Sequence, residues 1–380
     1  MPKAQSLKVE LNPSVLIWTI ASSGWNEQEL ISKLNIGSKT FQGWKDGSVK
    51  PTIKQLEDLS RKTKRPLAAF FLPEPPKEVS LPKDFRMLPD KKDTFERKTI
   101  FAIRKARRLQ AISYELATNL KDEIKPKIKR ASISDSPTET ALKYRKAYNL
   151  TVDTQQKFKD AYKLHNYLRD TLEEQNILSF QISMPIEDAR GFALADKSPK
   201  IIVVNSQDSI EARIFTLLHE FGHILLGETG ISLASLTTTD AIERWCNKFA
   251  ASFLLPPELA TEIFTENKAT LTDHTTLTKL SRKYKVSKAM LLYNMTELRF
   301  ITGNQFRAIL ERYTPKQKKE TKQKGGSVPV DRKCLSEMGT KFVSQVANNI
   351  DKNFITYSDA LSYLSVKSRN LDKVLSKARK

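Results

Sequence analysis

Cysteine is nearly absent. The 380 residues hold two, Cys246 and Cys334. Two are too few for a disulfide framework, and no C-x-x-C pair exists from which a cysteine zinc site could be built. This usage fits a reducing compartment, and a cytoplasmic location is expected. No apolar run is long enough to cross a bilayer, and residues 1–5 open no secretory signal; no membrane partner is expected. Acidic charge falls short too. There are 43 Asp and Glu against 64 Lys and Arg, a net charge of +21. That excess suits DNA, an acidic partner or a lysine-rich solvated surface, and does not choose among them. Histidine is scarce as well, at 4. The length allows two or three domains, and 39% hydrophobic content suffices for globular folding.

Two of the histidines fall together, in Leu217-Leu218-His219-Glu220-Phe221-Gly222-His223-Ile224. Positions four apart lie on one face of a helix, one turn apart, so both imidazoles can touch one metal ion. Glu220 points to a neighbouring face, where it can reach a metal-bound water. This is the H-E-x-x-H arrangement of zinc peptidases. Ile214, Phe215, Leu217, Leu218, Phe221, Ile224, Leu225 and Leu226 cover most of the circumference, so the helix is expected to be buried. Buried His and Glu are costly without a partner, and a metal supplies one. The alternative is a pair of core histidines satisfied by other groups.

Residues 14–70 read as four short helices. Asn26 is expected to cap the second, with Glu29 completing a capping box. Leu30, Ile31 and Leu34 face a core. Asn35-Ile36-Gly37 forms a tight turn, and Ser38 is expected to cap a third helix with Phe41 and Trp44 inward. Pro51-Thr52 opens a fourth. Helix, glycine-containing turn, helix is a helix-turn-helix layout. The order Gln28, Leu30, Leu34, Ile36, Ser38, Phe41, Trp44, Gly47, Pro51, Thr52 and Leu56 resembles the Cro/cI-type (XRE) family. By that resemblance Ser38, Lys39, Thr40 and Gln42 are candidate base or backbone contacts, and Gln28, Lys45 and Lys50 candidate phosphate contacts. DNA is thus an expected partner. The alternative is a helical module for protein contacts, since Gln42 alone in the third helix makes bidentate base contacts.

A proline-rich stretch follows. Phe70, Phe71 and Phe85 make it too apolar for a free linker, so it is expected to lie as a strap on the next domain. Helices are predicted over residues 94–120, from about Pro137, and over 155–175, the last with His165 on its apolar side. Three strands follow, at 177–182, 191–195 and 201–204. The second is a candidate edge strand, able to hold a substrate backbone by strand addition. Asp208-Ser209 can cap the histidine helix, and Gly227 ends it.

A catalytic zinc usually has three protein ligands and a water. His165 and His274 lack supporting context, so a later carboxylate is expected, with Glu243 and Asp240 the candidates. Here the chain resembles the ImmA/IrrE family of metallopeptidases. The matching residues are Arg213, Phe215, Thr216, Leu217 and the His219–His223 core, then Glu243-x-x-Cys246-Asn247-x-Phe249-Ala250-Ala251, then Leu254-Leu255-Pro256. Cys246 stands where the family usually has alanine, and Leu-Leu-Pro-Pro replaces Leu-Leu-Met-Pro. The resemblance implies that Glu243 is the third ligand of one zinc ion holding a catalytic water, and that Glu220 is the catalytic acid/base. Read from the residues alone, Glu243 could instead be a surface acid paired with Arg244, with Asp240 the runner-up ligand. Cys246 is read as a small buried residue, with a fourth ligand as the alternative. Asn247, Arg213 and several tyrosines are candidates for stabilising the oxyanion.

The fold class expected is α+β. A helix-turn-helix domain (1–72) and a strap (73–93) precede a mainly helical, zincin-like metallopeptidase domain with a small sheet (94–312). A basic linker (313–332) and a helical C-terminal extension (333–380) follow. The helix pair near 277–292 is read as a cap on the peptidase. The function expected is a zinc endopeptidase cutting a regulatory protein, a substrate class the resemblance implies and often a helix-turn-helix repressor. The alternatives are a DNA-binding regulator or toxin–antitoxin component in which the peptidase fold is a sensor or docking surface.

Overall fold

A computed structural model of the chain describes residues 7–76, 83–84, 95–232, 238, 240–313 and 328–379. They fall into two compact units, one drawn from residues 1–81 and 89–105, the other from 82–88 and 106–380.

The first unit holds α1 (Pro13–Ser23), α2 (Glu27–Leu34), α3 (Ser38–Asp46) and α4 (Ile53–Thr63), followed by a 3-10 turn at Leu67–Phe71. Local chemistry sets each end. Asn12 and Asn26 accept from the backbone N–H groups of Ser14 and Gln28. Thr52 and Gln55 form a reciprocal capping box on α4. The box expected between Asn26 and Glu29 does not form; the Glu29 carboxylate turns instead to Arg97, 3.3 Å away. Ser38 does not cap α3 either. Gly37 occupies the N-cap, and Ser38 is the first helical residue. Leu16, Leu30, Phe41, Trp44, Leu56 and Phe70 close the core. Phe70 is therefore an anchor of this unit, not part of a strap on the next domain, and Phe71 is exposed. Phe85 lies outside the described residues.

The second unit is built on a five-stranded mixed sheet of order β1-β5-β3-β4-β2. The strands are β1 (Lys83–Asp84), β2 (Ile177–Ile182), β3 (Gly191–Leu194), β4 (Lys200–Asn205) and β5 (Gly230–Ser232). β2 runs parallel to β4 with Ile177 opposite Lys200, and β3 lies antiparallel to both β4 and β5. Two strap residues, Lys83 and Asp84, do reach this unit, pairing with Gly230 and Ile231. β3 is thus interior. The expectation that 191–195 is a free edge fails, because the sequence after the histidine helix returns as β5 and takes up its outer side. Every residue of β2, β3 and β4 is buried, which is why they read as apolar runs and not as alternating patterns.

The helices that follow the first four are α5 (Arg97–Leu120), α6 (Pro137–Ala147), α7 (Val152–Lys157), α8 (Ala161–Glu174) and α9 (Ile210–Leu226); α8 packs on β2, and α9 on β3 and β4. The single helix expected over 155–175 is two, because Asp160 caps a fresh start by accepting from the Lys163 N–H. α10 (Ala241–Leu254) packs on α9, and α11 (Pro257–Glu266), α12 (His274–Tyr284), α13 (Lys288–Glu297) and α14 (Gly303–Tyr313) follow. Most of the basic stretch expected as a linker, 314–327, lies outside the described residues.

The end of the chain forms α15 (Val330–Met338), α16 (Thr340–Asp351), α17 (Tyr357–Leu364) and α18 (Ser368–Ala378). It docks on α8 and β2. Phe342 meets Phe180 edge-on at 5.4 Å. Beside that contact the buried Glu173 carboxylate accepts from the Lys341 N–H at 2.9 Å. Gly339 leaves room for it: its φ is +81°, and a side chain there would collide with Glu173 Oε1. Burial pushes the Glu173 carboxyl up to about 7, against the pull of Arg169. The folded state therefore holds a proton that the unfolded state has released, and stability falls as pH rises from about 4.5 to about 7. Glu173→Gln is expected to remove that fall, worth on the order of 2–3 kcal/mol. Urea midpoints of both proteins at pH 5 and pH 8 check it.

Candidate metal centre

α9 carries the H-E-x-x-H residues. Ser209 caps its start through the Ala212 N–H, and Gly227 ends it at φ +78°. Every residue from Ile214 to Leu225 is buried, so the helix is enclosed as its composition predicts. His219, Glu220 and His223 are all 0% exposed.

α10 brings the third group. His219, His223 and Glu243 form a buried cluster with one potential ligand atom each, all within 4.8 Å of one another. The two Nε2 atoms are 3.2 Å apart. Glu243 Oε2 lies 3.3 Å from His219 Nε2, and Oε1 lies 3.0 Å from His223 Nε2. A tetrahedral ion with bonds of about 2.0–2.1 Å holds its ligand atoms roughly 3.3 Å apart, so the donor set fits such an ion. Burial alone would raise the Glu243 carboxyl, but the charges and hydrogen bonds of His219 and His223 outweigh it and hold it well below the usual range. Burial lowers the His223 imidazole, with Glu243 partly opposing. An ionised carboxylate and a neutral imidazole are the forms that bind metal.

The alternatives find other places. Glu243 is 2% exposed and turns from Arg244 to the histidines. Asp240 is the N-cap of α10; its Oδ1 accepts from the N–H groups of Ile242 and Glu243. Cys246 is buried against α9, and burial first, then the nearby carboxylates, push its thiol well up. His165 is buried in α8, its imidazole lowered to about 3 by burial and by Arg169 and Arg213. His274 is exposed and 2.9 Å from Lys288. Arg213 is held by Gln181 Oε1 at 2.8 Å and the Asp208 carbonyl at 2.9 Å. Asn247, one turn after Glu243, lines an open cleft of about 670 Å³ together with Trp245, Thr238, Tyr293 and Glu297.

Two glycines went unnoticed in the sequence. A side chain at Gly191 would meet Thr216 Cγ2 at 2.5 Å and Glu220 Cγ at 3.3 Å. One at Gly222 would meet Cys246 Sγ at 3.0 Å and Cα at 3.3 Å. Gly191 lets α9 lie against the sheet beside Glu220, and Gly222 lets α10 approach the histidines. The signal was a glycine inside a strand and another inside a helix, places where the residue costs stability unless close approach requires it. Gly222→Ala is expected to destabilise by about 1–3 kcal/mol through overpacking. Adding Cys246→Ala should return part of that loss, read as urea midpoints.

The candidate DNA contacts sit on α2, α3 and the turn after it. Gln28, Ser38, Lys39, Gln42 and Lys50 are exposed, and Thr40 and Lys45 half-buried. Lys45 pairs with Glu27 at 2.8 Å, and Lys50 with Glu10 at 2.6 Å.

Residues 172–296 match the IrrE N-terminal-like domain of peptidase family M78. The match takes in α9 and α10, and with them His219, Glu220, His223 and Glu243. It reaches neither the first four helices nor α15–α18. The radiation response metalloprotease IrrE of Deinococcus deserti is 34% identical over 110 residues, 27% of this chain and 38% of the relative. The chain thus spans well under half of the relative it matches. Both similarities support a metalloprotease-family function for the IrrE-like stretch. Among the described residues no helix is long and apolar enough to cross a membrane.

Proposed function

We propose that the chain is a zinc-dependent endopeptidase that cuts a regulatory protein, with a helix-turn-helix transcriptional repressor as its substrate. The observation that carries the peptidase reading is the convergence of His219, His223 and Glu243 at tetrahedral spacing, with Glu220 on the same helix. His219, His223 and Glu243 would hold the ion. When bound, zinc supplies Lewis acidity, activating a water and polarising a peptide carbonyl. Glu220 receives the proton released by the attacking water and delivers it to the leaving amine. Glu220 is fully buried, and Gly191 leaves it room, since a side chain there would come within 3.3 Å of its Cγ. Asn247 and Tyr293 are the candidates for the oxyanion side, since both line the cleft beside α10.

The repressor substrate and the cytoplasmic setting rest on the family resemblance and on the composition. α2 and α3 would bring the site to its target by binding DNA or a like-folded repressor, with Ser38, Lys39, Thr40 and Gln42 in contact. The test is co-expression with helix-turn-helix repressors from the same genome. The expected result is one discrete cut, absent in Glu220→Gln and abolished by a zinc chelator. A repressor left intact under every inducing condition sinks the substrate proposal. Hydrolysis of unrelated peptides would still leave the peptidase standing.

A further inference from the structure

The last helix pair repeats the second and third helices of the chain. A shift of 330 positions (27 to 357, 38 to 368) lays Glu27–Leu34 on Tyr357–Leu364 and starts α3 and α18 together. The turns share one backbone. Asn35 and Ser365 are left-handed, at φ 53° and 54°, and Gly37 and Lys367 are extended, at φ −72° and −81°. Asn26 and Thr356 cap the first helices through their side chains. Burial corresponds as well: Leu30 and Ala360, and Phe41 and Leu371, are all 0% exposed.

The turn alone is not decisive, since it also joins α12 to α13 through Lys285 and Ser287. There every residue from Met290 to Met295 is buried, so α13 has no face left for a ligand. α18 does. Leu371, Val374, Leu375 and Ala378 pack inward, while Lys367, Ser368, Arg369 and Lys373 are exposed. Lys373 and Lys377 lean toward the buried Asp331, at 3.6 and 2.9 Å, which fixes α18 on α15. Over the matching window 356–376 there are three basic and two acidic side chains, against three of each over 26–46, and Lys377 and Arg379 follow, paired with Asp331 and Asp351.

We propose that α17 and α18 form a second helix-turn-helix, which sets the first turn of α18 in the major groove of duplex DNA. Arg369 carries the fork that reads guanine, and Asn370 the amide that reads adenine. Lys367 lies at the N-cap, where flanking phosphates pass. α3 offers only Gln42 for such contacts. The proposal is independent of the metal centre, and it shares with the role proposed for α2 and α3 only the motif.

The test uses the full chain and a fluorescent mixed-sequence DNA duplex, titrated at several salt concentrations. Lys367→Ala/Arg369→Ala is expected to weaken binding by roughly 10-fold or more at low salt, and each lost phosphate contact should lower the salt slope by about 0.9. Arg369→Lys keeps the charge and should keep the slope while losing preference among selected sequences. Helicity by circular dichroism confirms folding of each variant. Lys39→Ala/Gln42→Ala, tested alongside, reads α3 separately. Affinity within twofold of the unaltered chain for both α18 variants overturns the proposal, whatever α3 does. So does an unaltered chain that binds no duplex, or an α18 variant that loses only a protein partner.

Discussion

Glu220→Gln is expected to remove peptide hydrolysis by a factor of roughly 10²–10⁴ while leaving the metal in place. The amide has nearly the shape of the carboxylate, so α9 and the contact with Gly191 are kept. It cannot take up the proton of the attacking water. Glu220 is not one of the three converging donors, so the ion should remain at one per chain. Metal content by atomic emission and single-turnover hydrolysis of a cut peptide give the two readouts. A variant that keeps more than a tenth of the activity would require a different base.

Glu243→Ala is expected to lose the metal. It removes one of three ligands and leaves two buried imidazoles without the carboxylate that holds them. Loss of a supporting outer contact alone costs about 10–100-fold in affinity, so loss of a ligand should exceed that. The consequence reaches stability. At a free zinc concentration near 1,000 times the dissociation constant, the unaltered chain should gain about 4 kcal/mol. The variant should gain almost none, and its melting temperature should not respond to added zinc. Asp240→Ala separates the two candidate carboxylates. It should cost about 1 kcal/mol as a lost helix cap and keep stoichiometric metal. If Asp240→Ala lost the metal and Glu243→Ala retained it, the ligand assignment would be reversed.

Much of the site is legible because its chemistry is local. H-E-x-x-H sits on one helix, and helical spacing alone brings His219 and His223 together. Glu243 was different. It stands 20 positions after His223, and its choice over Asp240 rested on a family resemblance. The two carboxylates differ in place: Asp240 lies three residues before Glu243 and caps the helix, while Glu243 lies against the histidines. Caps were less legible. Ser38 and the Asn26–Glu29 box followed local rules, yet the helix starts one residue earlier, with Gly37 at the cap, and Arg97, distant in sequence, takes Glu29.

The sequence by itself determined the histidine pair, the enclosed helix that carries it, the three strands before it and the helical character of the C-terminal extension. Each depends on periodicity or on chemistry within a few residues. Only the tertiary structure decided that β3 is interior, that Gly222 and Gly191 are spacers beside the buried His219–His223–Glu243 cluster, and that α17–α18 repeats the turn of α2–α3. Those depend on which surfaces meet. An unpaired strand edge, a missing side chain and an exposed basic face are settled by what packs beside them, and no local pattern carries that information.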